Sequence, residues 1–424
     1  MPIMRTAQIV AIVVFMTTTI SGCKTPGGYQ GRLGKRGQPR LRGSDNVYPA
    51  APAVTGEPSP GKNVMAVSVN GELCGPRQAP NQPCVSVTIC EPGTSNCQTI
   101  KNLLLDTGSV GIRIFSSLVT LNLPPVKVAQ GEIAECIGFA DQSSQWGPLV
   151  NADVKLAEEP TINIPIHLIK PAYAKMPGPC SIEQSVPDVS PAQTGFNGIF
   201  GVGLFKQDYP PVNAVGDSPF YACKDGNCTQ IVYESGLKNP VAALPEDNNG
   251  VLIKLPAVGE GGAVSASGVM ILGIGTQDNN QPKGLTAYPV RYPGLYAALF
   301  TPYSSRPISS FIDSGSNHIV LPKLDALPLC DEKQAFVCPS SAEKYMAKTI
   351  GSGGKPTGEV NFQIANAASL LNSDNLVFST LGARGSEGLA NVIDWGLPFF
   401  FGRTIAVGFE GKKSPLGSGM YWAY

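Results

Sequence analysis

Two aspartates in the sequence, Asp106 and Asp313, occupy similar settings. Each ends a short apolar run and opens a turn of the same kind, namely Asp106-Thr107-Gly108-Ser109 and Asp313-Ser314-Gly315-Ser316. Glycine permits a tight backbone turn, and small hydroxyl residues can donate hydrogen bonds that orient a carboxylate. Two carboxyls held close together share one proton, because both cannot ionise cheaply. Such a pair could act as acid and base on one bound molecule.

A single turn of this kind is weak support for a site, because an aspartate also caps many ordinary β-turns. Two unrelated β-turns are therefore the simple alternative. The two copies, however, share their apolar flanks and lie far enough apart to belong to two structural units. This repetition favours two strands that each carry one aspartate into a common, dry site.

With these turns the chain resembles the pepsin-like aspartic peptidases. Three later segments are similar to further landmarks of that family and follow in the family's order, at residues 196–203, 269–275 and 393–403. The resemblance spans roughly residues 63–424. It implies a mainly β fold of two lobes, residues 63–276 and residues 277–424, which face each other across a central cleft.

The resemblance also implies the roles of the two turns. Asp106 and Asp313 are expected to activate a water molecule, and no metal, cofactor or covalent enzyme intermediate is expected. The other residues of the turns are expected to support the pair: Thr107, Gly108, Ser109, Ser314, Gly315 and Ser316.

The chain departs from the family pattern in two places. The family closes a β-hairpin flap, with an aromatic residue followed by glycine, over its substrate, and Trp146-Gly147 is the pair expected there. Its alternative is an ordinary buried or surface tryptophan. The second departure is Asp394, where the family usually has an apolar residue. A third carboxyl buried behind the pair would disturb the titration of Asp106 and Asp313.

The elements that position these turns are predicted to be mainly β-strands. The chain has 48 glycines and 38 prolines and little helical periodicity, which favours many turns. Short apolar runs predict strands at residues 64–69, 85–89 and 161–166. Helices are predicted only at residues 340–350 and 366–371.

The N-terminal region is predicted to direct export and anchoring. Residues 1–22 join a positive start to an apolar stretch that is short for a membrane span. Cys23 then follows Ile20-Ser21-Gly22, which resembles a bacterial lipobox whose cysteine is lipidated; an ordinary signal peptide is the alternative. Residues 23–62 are interpreted as the lipidated cysteine and a flexible tether. Because Lys24 follows the cysteine, the periplasmic side of the outer membrane is expected rather than the inner membrane.

The ten cysteines that follow Cys23 are an even number, which suits disulfides in an exported protein. Zinc is the alternative, but no Cys-x-x-Cys pair or Cys/His cluster with ligand spacing occurs in the sequence. Sequence does not fix connectivity. Proximity suggests these pairs: Cys74 with Cys84, Cys90 with Cys97, Cys223 with Cys228, Cys330 with Cys338, and the remaining Cys136 with Cys180.

These observations together predict an aspartic endopeptidase that acts on extended peptide or protein substrates at the bacterial envelope. Two other hypotheses stay open: a catalytically silent pepsin-like scaffold that binds protein or glycan, and a purely structural lipoprotein. The charge is balanced, with 31 basic and 31 acidic residues, and gives no reason to expect nucleic acid. His167 and His318 are expected to be structural, since no serine nucleophile motif accompanies them. A monomer is expected.

Overall fold

The computed structural model describes residues 47–57, 59–76, 79–208, 218–291, 295–301, 306–322, 327–331, 334–385, 389 and 391–424. Within these residues the chain is mainly β, as predicted. The predicted signal peptide, Cys23 and the tether up to residue 46 lie outside the described residues. In the described part of the chain, no helix is long and apolar enough to cross a membrane.

The first and larger sheet has 18 strands. Sixteen of them come first in the chain: β1 Val54–Thr55, β2 Val64–Val69, β3 Pro83–Cys90, β4 Cys97–Asp106, β5 Val110–Phe115, β6 Lys127–Val128, β7 Gly131–Gly138, β8 Ser143–Lys155, β9 Ile162–Ile169, β10 Val186–Pro187, β11 Gly198–Val202, β12 Phe220–Lys224, β13 Asn227–Gln230, β14 Gly250–Lys254, β15 Ala266–Leu272 and β16 Ala287–Pro289. The other two are β26 Thr404–Gly408 and β29 Tyr421–Ala423.

The second sheet has nine strands, all between residues 296 and 395. They are β17 Tyr296–Thr301, β18 Ile308–Ile312, β19 Ile319–Leu321, β20 Leu329–Asp331, β21 Gln334–Val337, β22 Glu343–Ile350, β23 Thr357–Ile364, β24 Gly382–Arg384 and β25 Val392–Trp395. A separate two-stranded ribbon pairs β27 Lys413–Ser414 with β28 Gly417–Ser418. The short helices are α1 Pro191–Thr194 and α2 Ala367–Leu371, with single 3-10 turns at Ser116–Leu118, Gly178–Cys180, Asp278–Asn280 and Leu397–Phe400.

Six strands of the first sheet close into a barrel. Around the ring, β3 pairs with β4, β4 with β11, β11 with β5, β5 with β9, β9 with β8, and β8 again with β3. Closure removes free strand edges. Its interior is filled by apolar side chains with no more than 1% exposure, such as Leu103, Leu105, Ile112, Ile114 and Phe200.

The two ends of the described chain meet in one antiparallel ladder of the first sheet. The order β2, β15, β14, β26, β29, β16 joins strands that precede residue 290 to strands that follow residue 403. The expected boundary between residues 276 and 277 therefore does not divide the sheets, because β16, β26 and β29 belong to the sheet of the N-terminal part.

The surroundings of the two Asp turns repeat one arrangement of strands. β4 carries Asp106 at its end, and β11 lies parallel to β4 and antiparallel to β5. In the same way β18 leads to Asp313, and β25 lies parallel to β18 and antiparallel to β19. Each turn is thus backed by a strand inserted between the strand that enters it and the strand that leaves it.

Two predictions of local structure are wrong. Residues 343–350, within the predicted helix 340–350, form strand β22, where burial alternates because Tyr345, Ala347 and Thr349 face the interior. The tether is also shorter than expected. Val54 and Thr55 pair in parallel with β15, and the backbone of Ala51 donates a hydrogen bond of 2.8 Å to Asn375 Oδ1. The strand predictions at residues 64–69, 85–89 and 161–166 and the helix at residues 366–371 are confirmed, with ends that differ by at most three residues.

The ten cysteines form five disulfides with the expected pairing. Four of them close short loops, with sequence separations of 5 to 10 residues. The fifth, Cys136–Cys180, has a separation of 44 residues and ties the hairpin of β7 and β8 to the 3-10 turn Gly178–Cys180.

Loop length predicts unequal contributions of these disulfides to stability. In the chain-entropy model, a double Cys136→Ala/Cys180→Ala variant should lose about 4 kcal/mol of unfolding free energy, whereas a Cys223→Ala/Cys228→Ala variant should lose about 2 kcal/mol. Urea unfolding of the two double variants measures the difference. Equal losses would contradict a stabilisation that acts through constraint of the unfolded chain.

Candidate active site

Asp106 lies at the end of β4 with its carboxylate held by its own turn. The backbone N–H of Gly108 donates to Asp106 Oδ1 at 2.7 Å, and Ser109 Oγ donates a short hydrogen bond to Asp106 Oδ2. The side chain is largely buried, at 6% exposure. Donors on both oxygens fix the orientation of this carboxyl group.

Asp313 has the same surroundings in the second turn. The backbone N–H of Gly315 donates to Asp313 Oδ1 at 2.7 Å, and Ser316 Oγ lies 2.9 Å from Asp313 Oδ2. The following residue, Asn317, accepts at its backbone carbonyl a 2.8 Å hydrogen bond from Asn81 Nδ2. The second turn is therefore anchored to the loop between the Cys74 and Cys84 disulfide partners.

The two turns are hydrogen-bonded to each other through two hydroxyl residues, Thr107 and Ser314. Thr107 Oγ1 donates to the carbonyl of Ile312 at 3.0 Å and accepts from the N–H of Ser314 at 2.9 Å. Ser314 Oγ donates to the carbonyl of Leu105 at 2.7 Å and accepts from the N–H of Thr107 at 3.0 Å. Both side chains are buried. The sequence predicted hydroxyl residues that support the turns, and in the structure these two hold one turn to the other.

The two glycines let the carboxyls approach. A Cβ atom on Gly108 would lie 2.7 Å from Cγ of Asp313, and one on Gly315 would lie 2.8 Å from Oδ1 of Asp106. Both distances are shorter than real Cβ contacts. Each glycine therefore lies against the aspartate of the other turn, and the two carboxyls are brought together as predicted.

The surroundings of Asp313 favour its protonated form. Burial, the charge of Asp106 and that of Asp394, together with a hydrogen bond to Asp106, raise the pKa of Asp313 well above its usual value, while the N–H of Gly315 opposes this shift. Asp313 therefore holds its proton more tightly than an ordinary aspartate does.

Asp394 is the third carboxyl of the site, and the sequence identified it only as a departure. It lies on β25 at 2% exposure. Ser316 Oγ is 2.6 Å from Asp394 Oδ2. Burial raises the pKa of Asp394 well above its usual value; the hydrogen bond with Ser316 opposes this shift and the charge of Asp106 adds to it.

A buried cluster of charged groups, which the sequence analysis missed, lies close to Asp106. Arg113 contacts Glu135 at 3.2 Å and makes a short ion pair with Asp208. His167 Nδ1 is 3.2 Å from Glu135 Oε2. Burial lowers the pKa of Arg113, but the charges of Glu135, Asp208 and Asp106 raise it overall. Arg113 therefore stays a cation although it is fully buried.

Two other members of this cluster, Glu135 and His167, have pKa values shifted toward their neutral forms. Burial, partly opposed by Arg113, raises the pKa of Glu135 well above its usual value. Burial and the charge of Arg113 hold the pKa of His167 well below its usual value. His318 is likewise neutral, since burial lowers its pKa to about 4. The structure places both histidines outside the two Asp turns, in agreement with a structural role.

The prediction that Trp146 is the aromatic residue of a flap is wrong. Trp146 is 1% exposed and packs edge-on against Tyr221 with ring centroids 5.6 Å apart. Gly147 is buried as well, and a Cβ there would lie 1.9 Å from the carbonyl oxygen of Leu168. Both residues belong to the body of the β7–β8 hairpin. Its turn, residues 139–142, is the part of the hairpin that reaches solvent.

The fold and the turns define a mainly β protein in which two Asp-Thr/Ser-Gly-Ser turns bring their carboxyls together. The chain belongs to the family described as Protein of unknown function (DUF3443), whose model matches residues 59–424. No match was found among curated proteins. In the described residues, no group of three or more His, Cys, Asp or Glu side chains is arranged to hold a metal ion.

The hydrogen bonds between the two turns predict that loss of the Thr107 hydroxyl strongly lowers the free energy of unfolding. Thr107→Ala should lower the unfolding free energy by about 2–4 kcal/mol, because it leaves the buried N–H of Ser314 and carbonyl of Ile312 without partners. Thr107→Ser is the matched control. It keeps the hydroxyl and should cost about 1 kcal/mol for the lost methyl group. Urea unfolding separates the two, and equal losses would show that the hydroxyl does not hold the turns.

Proposed function

We propose that this protein is an aspartic endopeptidase of the pepsin-like type, with Asp106 and Asp313 as its catalytic pair. The observation that carries the proposal is the pairing of the two turns, in which each glycine lies against the opposite carboxyl and two hydroxyl residues exchange hydrogen bonds. A structural role for these aspartates would not require two buried carboxyls side by side, because like charges at this range are costly.

The repeated arrangement of strands supports the fold named in this proposal. Each turn is backed by an inserted strand, β11 in one case and β25 in the other. We propose that these two units are the walls of a cleft, one in the barrel and one in the second sheet. An extended peptide is the substrate class that fits, because strands that line a cleft can pair with a peptide backbone.

The proposed reaction uses one water molecule and the shared proton. Asp106, ionised and oriented by Gly108 and Ser109, takes a proton from the water, whose oxygen attacks the scissile carbonyl carbon. Asp313 gives its proton to the carbonyl oxygen. The resulting diol collapses as Asp106 gives its proton to the amine nitrogen, one diol hydroxyl gives its proton to Asp313, and the C–N bond breaks, which leaves a carboxylic acid and an amine. The pair ends with one proton, as it began.

Replacement of either aspartate should abolish cleavage. Asp106→Asn and Asp313→Asn should each lower kcat/KM on an unfolded protein substrate by about a thousandfold or more, and the double variant should lose little beyond either, because the two act as a unit. The activity of the wild type should fall as pH rises, since the reaction needs a proton that the site loses at high pH.

Asp225→Asn is the matched control, because Asp225 lies exposed in the turn between β12 and β13 at a φ of 53°, which asparagine tolerates. It should cleave like the wild type. A statine-type inhibitor should block the wild type, since its hydroxyl mimics the tetrahedral intermediate. Cleavage that survives in both active-site variants would refute the assignment. A wild type that binds peptides but cleaves none would support the silent scaffold instead.

We propose that the enzyme is anchored in the bacterial envelope by a lipid on Cys23. The lipobox-like residues before this cysteine support the proposal. Labelled fatty acid should enter the wild type and not Cys23→Ala, while Cys23→Ala should keep the same kcat/KM, since the cysteine lies far in the sequence from Asp106 and Asp313. Equal labelling of both proteins would contradict the anchor and would leave the peptidase assignment untouched.

A further inference from the structure

Asp394 lies at a position where an ionised carboxylate would have a high desolvation energy. It lies in the middle of β25, opposite Phe311 of β18 and Val320 of β19. Its neighbours Ile393 and Trp395 are fully buried at 0% exposure, and Asp394 itself is 2% exposed. Its Oδ1 atom has no hydrogen-bond partner. An ionised group here would be desolvated without compensation, so burial favours the neutral acid.

The hydrogen bonds of Ser316 also indicate that Asp394 is protonated. Ser316 Oγ lies within hydrogen-bond distance of two carboxyl oxygens, Asp313 Oδ2 at 2.9 Å and Asp394 Oδ2 at 2.6 Å. A hydroxyl has one hydrogen and can donate to only one of them. The other hydrogen bond needs a proton from a carboxyl. Asp394 is the more deeply buried of the two acids, so it is the one expected to keep a proton and to donate it to Ser316 Oγ.

We propose that Asp394 is a positioning residue whose carboxyl proton, acting through Ser316, holds Asp313 in its working orientation and sets the alkaline limit of cleavage. This inference rests on the proposed peptidase function. Asp394 donates to Ser316 Oγ, and Ser316 in turn donates to Asp313 Oδ2. When Asp394 loses its proton to solvent, its carboxylate becomes the stronger acceptor, the hydroxyl of Ser316 turns to it, and Asp313 loses its donor.

The charged groups around Asp394 agree with this order of events. β18 and β19 carry no titratable side chain, and the ring of His318, which precedes β19, bonds Asn317 and packs against Phe336. The carboxyls of the pair are therefore the titratable groups that face Asp394 from the described strands on either side. The charge of Asp106 adds to burial in raising the pKa of Asp394, and Asp394 in turn raises that of Asp313.

Two substitutions distinguish the effect of the Asp394 proton from the effect of the shape of its side chain. Asp394→Asn keeps a neutral donor to Ser316 that cannot ionise, so the alkaline midpoint of kcat/KM should move up by about one pH unit. Asp394→Leu keeps the branching at Cγ but removes the donor, so kcat should fall about tenfold with KM unchanged. In a Ser316→Ala background, both changes should have no further effect.

The same alkaline midpoint for the wild type and Asp394→Asn would overturn the proposal, and so would equal kcat values for the Asn and Leu variants. A folding defect is checked by near-ultraviolet circular dichroism at the pH of each assay. If Asp394→Leu fails to fold, the Asn variant and the Ser316→Ala background still decide the question.

An infrared comparison tests the proton without any cleavage. The full-length wild type at neutral pH should show the C=O stretch of a protonated carboxyl that is absent from Asp394→Asn. Identical spectra would overturn the assignment of the proton to Asp394, whatever the activity. If the wild type cleaves nothing and yet shows this band, the proposed peptidase function fails and the proton assignment stands.

Discussion

Four hydrogen bonds between the turn at Asp106 and the turn at Asp313 are the constraint on which the site depends. Thr107 and Ser314 each donate to the backbone carbonyl of the residue that precedes the aspartate of the other turn, and each accepts from the other's backbone N–H. The two turns come from different sheets, so nothing in their own strands would hold the carboxyls together. Because both hydroxyls are buried, any separation of the turns would leave several polar groups without partners.

The surroundings of the two aspartates differ although their turns are alike. A guanidinium, Arg113, lies on the side of Asp106, and a third acid, Asp394, lies behind Asp313. The charge of Asp394 is one of the causes that raise the pKa of Asp313. The two carboxyls therefore lie in different electrostatic surroundings, although their turns repeat one pattern.

The sequence predicted the features that follow from local pattern: the strands before the turns, the mainly β class and the disulfide pairs. It failed where tertiary contacts decide. Residues 343–350 have an ambiguous pattern that pairing with β17 and β23 resolves as a strand. Trp146 was assigned by its distance from Asp106, which says nothing about burial. Three strands each contain a charged or titratable residue among apolar ones, namely Arg113, Glu135 and His167. This shared pattern was the sequence signal of the buried ionic cluster.

The ladder that joins β14 to β26 has a consequence for how the chain reaches its native state. β26 pairs along the whole of β14, from Gly250 opposite Gly408 to Lys254 opposite Thr404. A chain synthesised from its N-terminus must therefore leave this edge of β14 unpaired until residues 404–408 have been made. An open edge is a template for wrong pairing with other chains. A need for shielding during synthesis, and intolerance of deletions that remove β26, are the biological costs of this topology.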